Sequence, residues 1–290
     1  MPIWQLCANL LIPNCLRSNL SYSPLAALEL YVIECQPKVF IFENVKGMLS
    51  HDKGKTWKVI KNTFENDCDY DVYYQVLNGK DYGVPQSRER IYCIGFKKKT
   101  DFKYPAPIPL VNNVYDYLQK QFEKKYLLRQ KGVNFITRSI NYQKSYTQIN
   151  GDILLCQKRN QQFNWHGDFV FHPKMRDDTN TPQTDENLFA LKDYEESYFK
   201  DHHSEKYAIR QCGEDYEIME EVDATQIDIQ YGRFRKLTPR ECLRLMGFDD
   251  TFRIVCSDTE TYKQAGNSII VDVLMALMKQ IDITKYGHNG

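Results

Sequence analysis

Apolar positions along this chain switch between a helical and a strand-like period. Residues 26–35 carry apolar side chains at helical spacing, and the pattern stops at Pro37. Residues 39–42 form a short unbroken apolar run, which predicts a strand buried on both faces. Residues 56–65 set Trp57, Ile60 and Phe64 three and four apart, which predicts an amphipathic helix. Residues 70–77 and 91–96 predict two further strands, joined by the loop NGKDYGVPQSRER. Strand, helix and strand in this order predict an α/β layer architecture. KKKTDFKYPAPIP then breaks the pattern with charge and proline, placing a boundary near residue 100. From there to about Arg233 the chain is polar, aromatic and turn-rich.

Regular signals return in LTPRECLRLMGF. Thr238 is a helix N-cap, Pro239 takes the first helical position, Glu241 completes a capping box and Gly247 ends the helix. GNSIIVDVLMALMKQI opens on Gly266, Asn267 and Ser268 and runs into an apolar helix. The expected organisation has four parts. Residues 1–23 lack a clear period and stay unassigned, and 24–100 form a partial α/β domain. Residues 101–235 form a second, smaller domain of strands and loops. Residues 236–290 hold the capped helix and a terminal helix that packs back on the first domain.

The formal net charge of zero gives no bulk field, but it hides an asymmetry. Residues 95–160 hold 13 Lys/Arg against 4 Asp/Glu, and residues 161–231 hold 6 against 17. A basic segment beside an acidic one predicts polarised surfaces, or two solvated faces that partly neutralise each other. The nine cysteines form no Cys-x-x-Cys pair and have no His at metal-ligand spacing. That odd count, without a recognisable secretion signal, predicts a reducing cytoplasm and no metal site. No run approaches the roughly 18 apolar residues of a membrane span.

Four clusters could carry chemistry. Glu43 and Asn44 follow a buried strand directly, where ligands gather in open α/β sheets, although a carboxylate bonded to nearby amides would look the same. Arg88 and Arg90 lie two apart on an extended chain and so share a face. Their donor forks suit phosphate or a base edge, or they pair with an acid such as Glu89. Arg235, Lys236 and Arg240 put cations at the start of a capped helix, where the dipole prefers anions. Phosphate bridging or plain solvation would explain them. Gly266, Asn267 and Ser268 form a glycine turn read as a helix start, whose amides favour anionic or polar ligands.

Together, FENVKGM, GVPQSRERIYCIGF, RKLTPRECLRLMGF and QAGNSI, in this order, resemble the later motifs of the DNA (cytosine-5) methyltransferases. The resemblance covers residues 36–96 and 233–273 and points to the bacterial or phage restriction–modification type. It implies an incomplete Rossmann-like methyltransferase sheet with a second, smaller, irregular target-recognition domain. It implies duplex DNA as partner and S-adenosylmethionine as cofactor. In the family a cysteine thiolate attacks C6 of a flipped cytosine and C5 takes the methyl group before its proton is removed. By resemblance, Glu43 holds the base at N3 and its amino group. Arg90 contacts the base carbonyl and fixes the glutamate, while Arg88 has a more structural part. Asn267, with Ser268, lines the donor pocket. Asn44, Gln86, Arg235 and Arg240 are expected toward DNA. So are Lys124, Lys125, Arg129, Lys158 and Arg159 of the basic segment, whose companions are Lys131, Arg138 and Lys144. Tyr126, Phe135, Tyr142, Phe163 and Trp165 interleave with them, a mixture suited to phosphate contact and groove insertion. The acidic residues 177–228 are expected on the far side.

The sequence departs from the family at its front. The 290 residues contain neither the Phe-x-Gly-x-Gly donor turn nor the Pro-Cys-Gln nucleophile motif, and Pro13-Asn14-Cys15-Leu16 has the wrong neighbours. Cys35, Cys93 and Cys242 are read as ordinary buried positions. The expectation is the carboxyl-terminal part of a methyltransferase, inactive without a complementing amino-terminal chain and with a donor site incomplete in this one. The alternatives are a non-catalytic DNA-reading subunit of a split enzyme, or a truncated remnant whose first strand leaves an apolar edge.

Overall fold

The computed structural model describes residues 32–137, 144, 146–160, 165–173, 188–190, 207–212, 215–223 and 226–281. These fall into two compact units. One gathers the described residues up to Val111 and from Asn267 onward, and the other spans Asn112–Gly266.

The first unit is built on β1 (Val39–Val45), α1 (Lys55–Asn62), β2 (Asp71–Asn78) and β3 (Glu89–Phe96). The strands lie in the order β1-β3-β2 and both pairings are antiparallel. Strand β1 is not buried on both faces as its composition predicts. Phe40 and Phe42 are buried, while Val39 and Ile41, which alternate with them, stay half-exposed. The two phenylalanines pack with Trp57, Ile60 and Phe64, the spacing that made α1 legible, and with Tyr70. Phe40 meets Phe64 at 4.7 Å and Tyr70 at 5.1 Å between ring centroids. Phe40 also pairs in register with Gly95, where a Cβ would lie 2.1 Å from the Phe40 ring, so the ring occupies the room a side chain would need. Cys93 is buried in β3, but Cys35 is exposed, against expectation: residues 32–35 are helical with Val32 on the buried side and Cys35 on the exposed one, just before Gln36 with its left-handed backbone.

The proline-rich stretch stays with the first unit. Ile108 donates its amide to the Asp81 carbonyl at 2.8 Å, and the Tyr82 and Tyr104 hydroxyls bond the Pro105 and Tyr92 carbonyls. After the second unit the chain returns as α5 (Val271–Ile281), whose Val273, Ala276, Leu277 and Ile281 are buried.

The second unit adds β4 (Gln121–Glu123), α2 (Gln130–Ile136), β5 (Thr147–Ile149), β6 (Gly167–Pro173), β7 (Leu188–Ala190), β8 (Tyr207–Cys212), β9 (Asp215–Asp223) and β10 (Gln226–Lys236). Five strands run β5-β6-β10-β9-β8, antiparallel except for β5 on β6, and β4 pairs with β7. Val133 and Ile136 of α2 close over Phe169, Phe171 and Phe234 of that sheet. Two helices follow, α3 (Pro239–Arg244) and α4 (Asp258–Asn267). Helix α3 carries the predicted capping box, with Thr238 and Glu241 each bonding the other's backbone amide.

Asp168 on β6 is buried, and while Oδ1 accepts from the Leu155 amide at 3.1 Å, Oδ2 has no partner. Burial pushes this carboxyl up to about 8, against the smaller lowering effects of the Leu155 bond and Lys158. Between 3.8 and about 8 the folded chain therefore holds a proton that the unfolded chain has lost. Stability falls as pH rises through that window and levels above it. Asp168→Asn is expected to flatten this slope. The variant gains about 1–3 kcal/mol over the parent near pH 8 and almost nothing near pH 4. Urea midpoints at the two pH values check this, and an equal gain at both would refute it.

Candidate functional site

The first unit brings four of the singled-out residues together through two strands and a loop. The β1–β3 ladder pairs Glu43 with Tyr92 and Val45 with Arg90. Glu43 and Arg90 thus sit diagonally on one face, within reach for long side chains. Arg90 Nε lies 3.2 Å from Glu43 Oε1, with the two side chains 15% and 20% exposed. The contact is an ion pair without hydrogen-bond alignment, and Oε1 is buried with no hydrogen-bond partner. Burial raises the Glu43 pKa above the ordinary carboxylate value, and Arg90 and then Arg88 pull against it without winning. The site therefore holds a carboxyl eased toward its protonated form, with an unused hydrogen-bonding oxygen.

Arg88 is buried and donates from Nη2 to the Ser268 carbonyl at 2.8 Å, tying the loop before β3 to the segment before α5. The same loop folds back on β2. The Arg88 amide donates to Asn78 Oδ1 at 2.9 Å, and the Gly79 amide to the Arg88 carbonyl at 3.1 Å. Gln86 is fully buried there, so its side chain faces the loop's interior. Glu89 pairs not with an arginine but with Lys46 at 3.0 Å on the surface. Asn44 accepts the Val45 amide on its own side chain at 2.8 Å.

Asn267 and Ser268 do not open a helix. Asn267 closes α4, Ser268 follows it, and α5 starts at Val271. Helix α4 escaped the sequence reading because Tyr262 and Ala265 are nearly its only apolar positions. Its mark was Ser257-Asp258-Thr259-Glu260, a Ser-x-x-Glu start in which the Ser257 hydroxyl accepts the Glu260 amide at 3.4 Å. The Asn267 side-chain nitrogen is buried without a hydrogen-bond partner. A stranded donor of this kind fits a polar acceptor group of a bound small molecule.

The second unit sorts the expected DNA contacts. Arg235 must be withdrawn from them. Its side chain is fully buried, with Nη1 and Nη2 on the two Glu241 oxygens at 2.7 and 2.9 Å and Nε on His172 Nε2 at 2.6 Å. It also lies over the Phe122 ring at 4.4 Å. Burial and Arg235 together keep His172 neutral, so it accepts that bond. The cation at the helix start thus neutralises the capping glutamate, not phosphate. Arg240 spends its guanidinium on the Asp249 and Phe252 carbonyls, and Lys125 on Glu123 and Asp258 at 2.9 and 3.0 Å. Lys124, Arg129, Lys131, Lys144, Lys158 and Arg159 are exposed. Tyr126 is a core residue bonded to Asp258, not a groove wedge, while Phe135 meets Trp165 as a tilted pair at 5.6 Å and stacks on His166 at 5.7 Å. Arg138, Tyr142, Phe163 and the Cys15 segment lie outside the described residues, as does most of the acidic stretch. Among the described residues no His/Cys/Asp/Glu group could hold a metal, and no helix is long and apolar enough to cross a membrane.

Comparison with known proteins follows the same lines. The family model for the C-5 cytosine-specific DNA methylases matches residues 25–282. The type II methyltransferase M.SsoII of Shigella sonnei is 34% identical over 253 residues, covering 86% of this chain and 54% of that protein. M.HhaI of Haemophilus parahaemolyticus is 31% identical, covering 86% and 64%. The chain thus spans little more than half the length of such relatives. The crystal structure of the S. pombe Dnmt2 methyltransferase superposes with a TM-score of 0.57 at 17% identity, covering 96% of this chain and 75% of that one. The fold is that of a methyltransferase, and the chain belongs to the C-5 cytosine-specific DNA methylase family.

Proposed function

We propose that this chain supplies the base-holding and sequence-reading parts of a DNA cytosine C5-methyltransferase. The observation that carries the reading is Glu43, a carboxyl raised by burial, paired with Arg90 and left with an unsatisfied oxygen. Its protonated form donates to ring N3 of an extruded cytosine while the other oxygen accepts from the exocyclic amine. Donation to N3 draws electrons from the ring and eases attack at C6. Arg90 presents its remaining donors to the base carbonyl, and Arg88 holds the loop that orients both. S-adenosylmethionine, when bound, supplies the methyl group. Asn267 offers it a buried donor and Ser268 a neighbouring polar position. The exposed cations of the second unit, Lys124, Arg129, Lys158 and Arg159, meet the phosphates of duplex DNA.

Methyl transfer also needs a cysteine nucleophile and a glycine-rich donor turn, which we assign to a polypeptide carrying the Pro-Cys-Gln and Phe-x-Gly-x-Gly motifs. The test is incorporation of labelled methyl from S-adenosylmethionine into mixed-sequence DNA. The purified chain alone is expected to give none, and addition of a family amino-terminal half is expected to restore it. Incorporation by the chain alone would overturn this division of labour and put Cys15 first among candidate nucleophiles. No incorporation with either would remove the base-holding role.

A further inference from the structure

Gly266 is a glycine for want of space. It lies in the last turn of α4 and is not among the glycines with positive φ, so its backbone conformation suits any residue. A Cβ there would lie 2.4 Å from the Arg159 amide nitrogen, 2.5 Å from the Lys158 carbonyl carbon and 2.7 Å from the Arg159 Cα. All three are backbone atoms, which cannot swing aside as a side chain would. The strand-to-strand loop of residues 157–160 is therefore seated directly on the helix. It is fixed a second time at Gln157, a buried residue whose Nε2 donates to the Cys242 carbonyl of α3 at 3.2 Å. Between these anchors the consecutive Lys158 and Arg159 are exposed. Two acids feel the pair: Glu260, which feels Arg159 only weakly and is closed by Lys263 at 2.6 Å, and Asp168, which feels Lys158 and is buried with its carboxyl held toward the protonated form. A loop held once by backbone packing and once by a buried side-chain bond, with two exposed cations between, is pre-ordered, so gripping an anionic polymer costs it little further ordering.

We infer that Gly266 is a positioning residue for a phosphate-gripping loop, with Lys158 and Arg159 as its contacts on the DNA backbone. This rests on the reading that the chain binds DNA. The experiment measures the affinity of the full chain for a short labelled mixed-sequence duplex across a range of salt. K158Q/R159Q is expected to weaken binding about tenfold at low salt and to lower the salt slope by about 1.8, the loss of two phosphate contacts. Gly266→Ala is expected to give a similar loss by displacing the loop. Added to K158Q/R159Q, it should bring no further loss, since both act on one element. Should Gly266→Ala fail a thermal-melt check of folding, Gln157→Ala releases the other anchor and is expected to behave the same way. Additive losses, or an unchanged slope in K158Q/R159Q, overturn the inference while DNA binding stands. Absence of salt-sensitive binding by the parent chain removes the DNA-binding reading and this inference with it.

Discussion

Glu241→Ala is expected to destabilise the second unit by about 3–5 kcal/mol, because it strands the Arg235 guanidinium in a buried site. Glu241 accepts four hydrogen bonds from three residues. Its oxygens receive Arg235 twice, the Thr238 amide at 2.7 Å and the Gln119 amide at 2.7 Å, and the residue is fully buried. Removing it orphans a charge, a helix cap and a loop amide together. A buried ion pair need not stabilise relative to apolar packing, so R235M/E241L is expected to cost less than the single change. Urea unfolding of the full chain followed by near-ultraviolet circular dichroism measures both. A loss of under about 1 kcal/mol for Glu241→Ala, the size of a surface pair, would mean the network is solvated in solution.

Glu43→Gln is expected to lower methyl transfer about 10²-fold in the chain complemented by an amino-terminal half, the usual worth of a positioned proton donor. Glutamine keeps the size and one donor of a protonated glutamate, but it cannot pass a proton to N3. The parent should lose activity as pH rises through the raised Glu43 pKa, because the donor form is then emptied. The variant should lose that limb of the profile along with its rate. A variant that keeps the parent's profile at a lower rate would demote Glu43 to a spacer. Unchanged urea midpoints in both proteins would separate chemistry from folding.

Much of the first unit was legible because its signals are local. Trp57, Ile60 and Phe64 announce one helix face, and the runs around Phe42 and Ile94 announce strands. The capped helix at Thr238 was legible for the same reason, since a capping box is written within four residues. What misled was context at longer range. Nothing near Arg235 in sequence says that His172 and Phe122 close over it, so its charge read as available for phosphate. Tyr126 among lysines read as a surface aromatic, but its hydroxyl is taken by Asp258, 132 positions away. Helix α4 was hidden by polarity, and with it the reason for Gly266, which lies in an approach between backbones that no periodicity records. The Glu43–Arg90 pair came from a resemblance; its geometry needed the strand register.

That register has a further consequence for how this stretch can vary. Phe40, Phe42 and Glu43 are spaced along one ladder, with the phenylalanines opposite Gly95 and Cys93 and the glutamate opposite Tyr92. Exchange of one apolar side chain for another leaves the count intact and costs only packing. Deletion or insertion of a single residue after Phe40 turns every later side chain to the opposite face. The glutamate would then leave Arg90 although composition and hydrophobicity were almost unchanged. The segment is thus tolerant in spelling and intolerant in length.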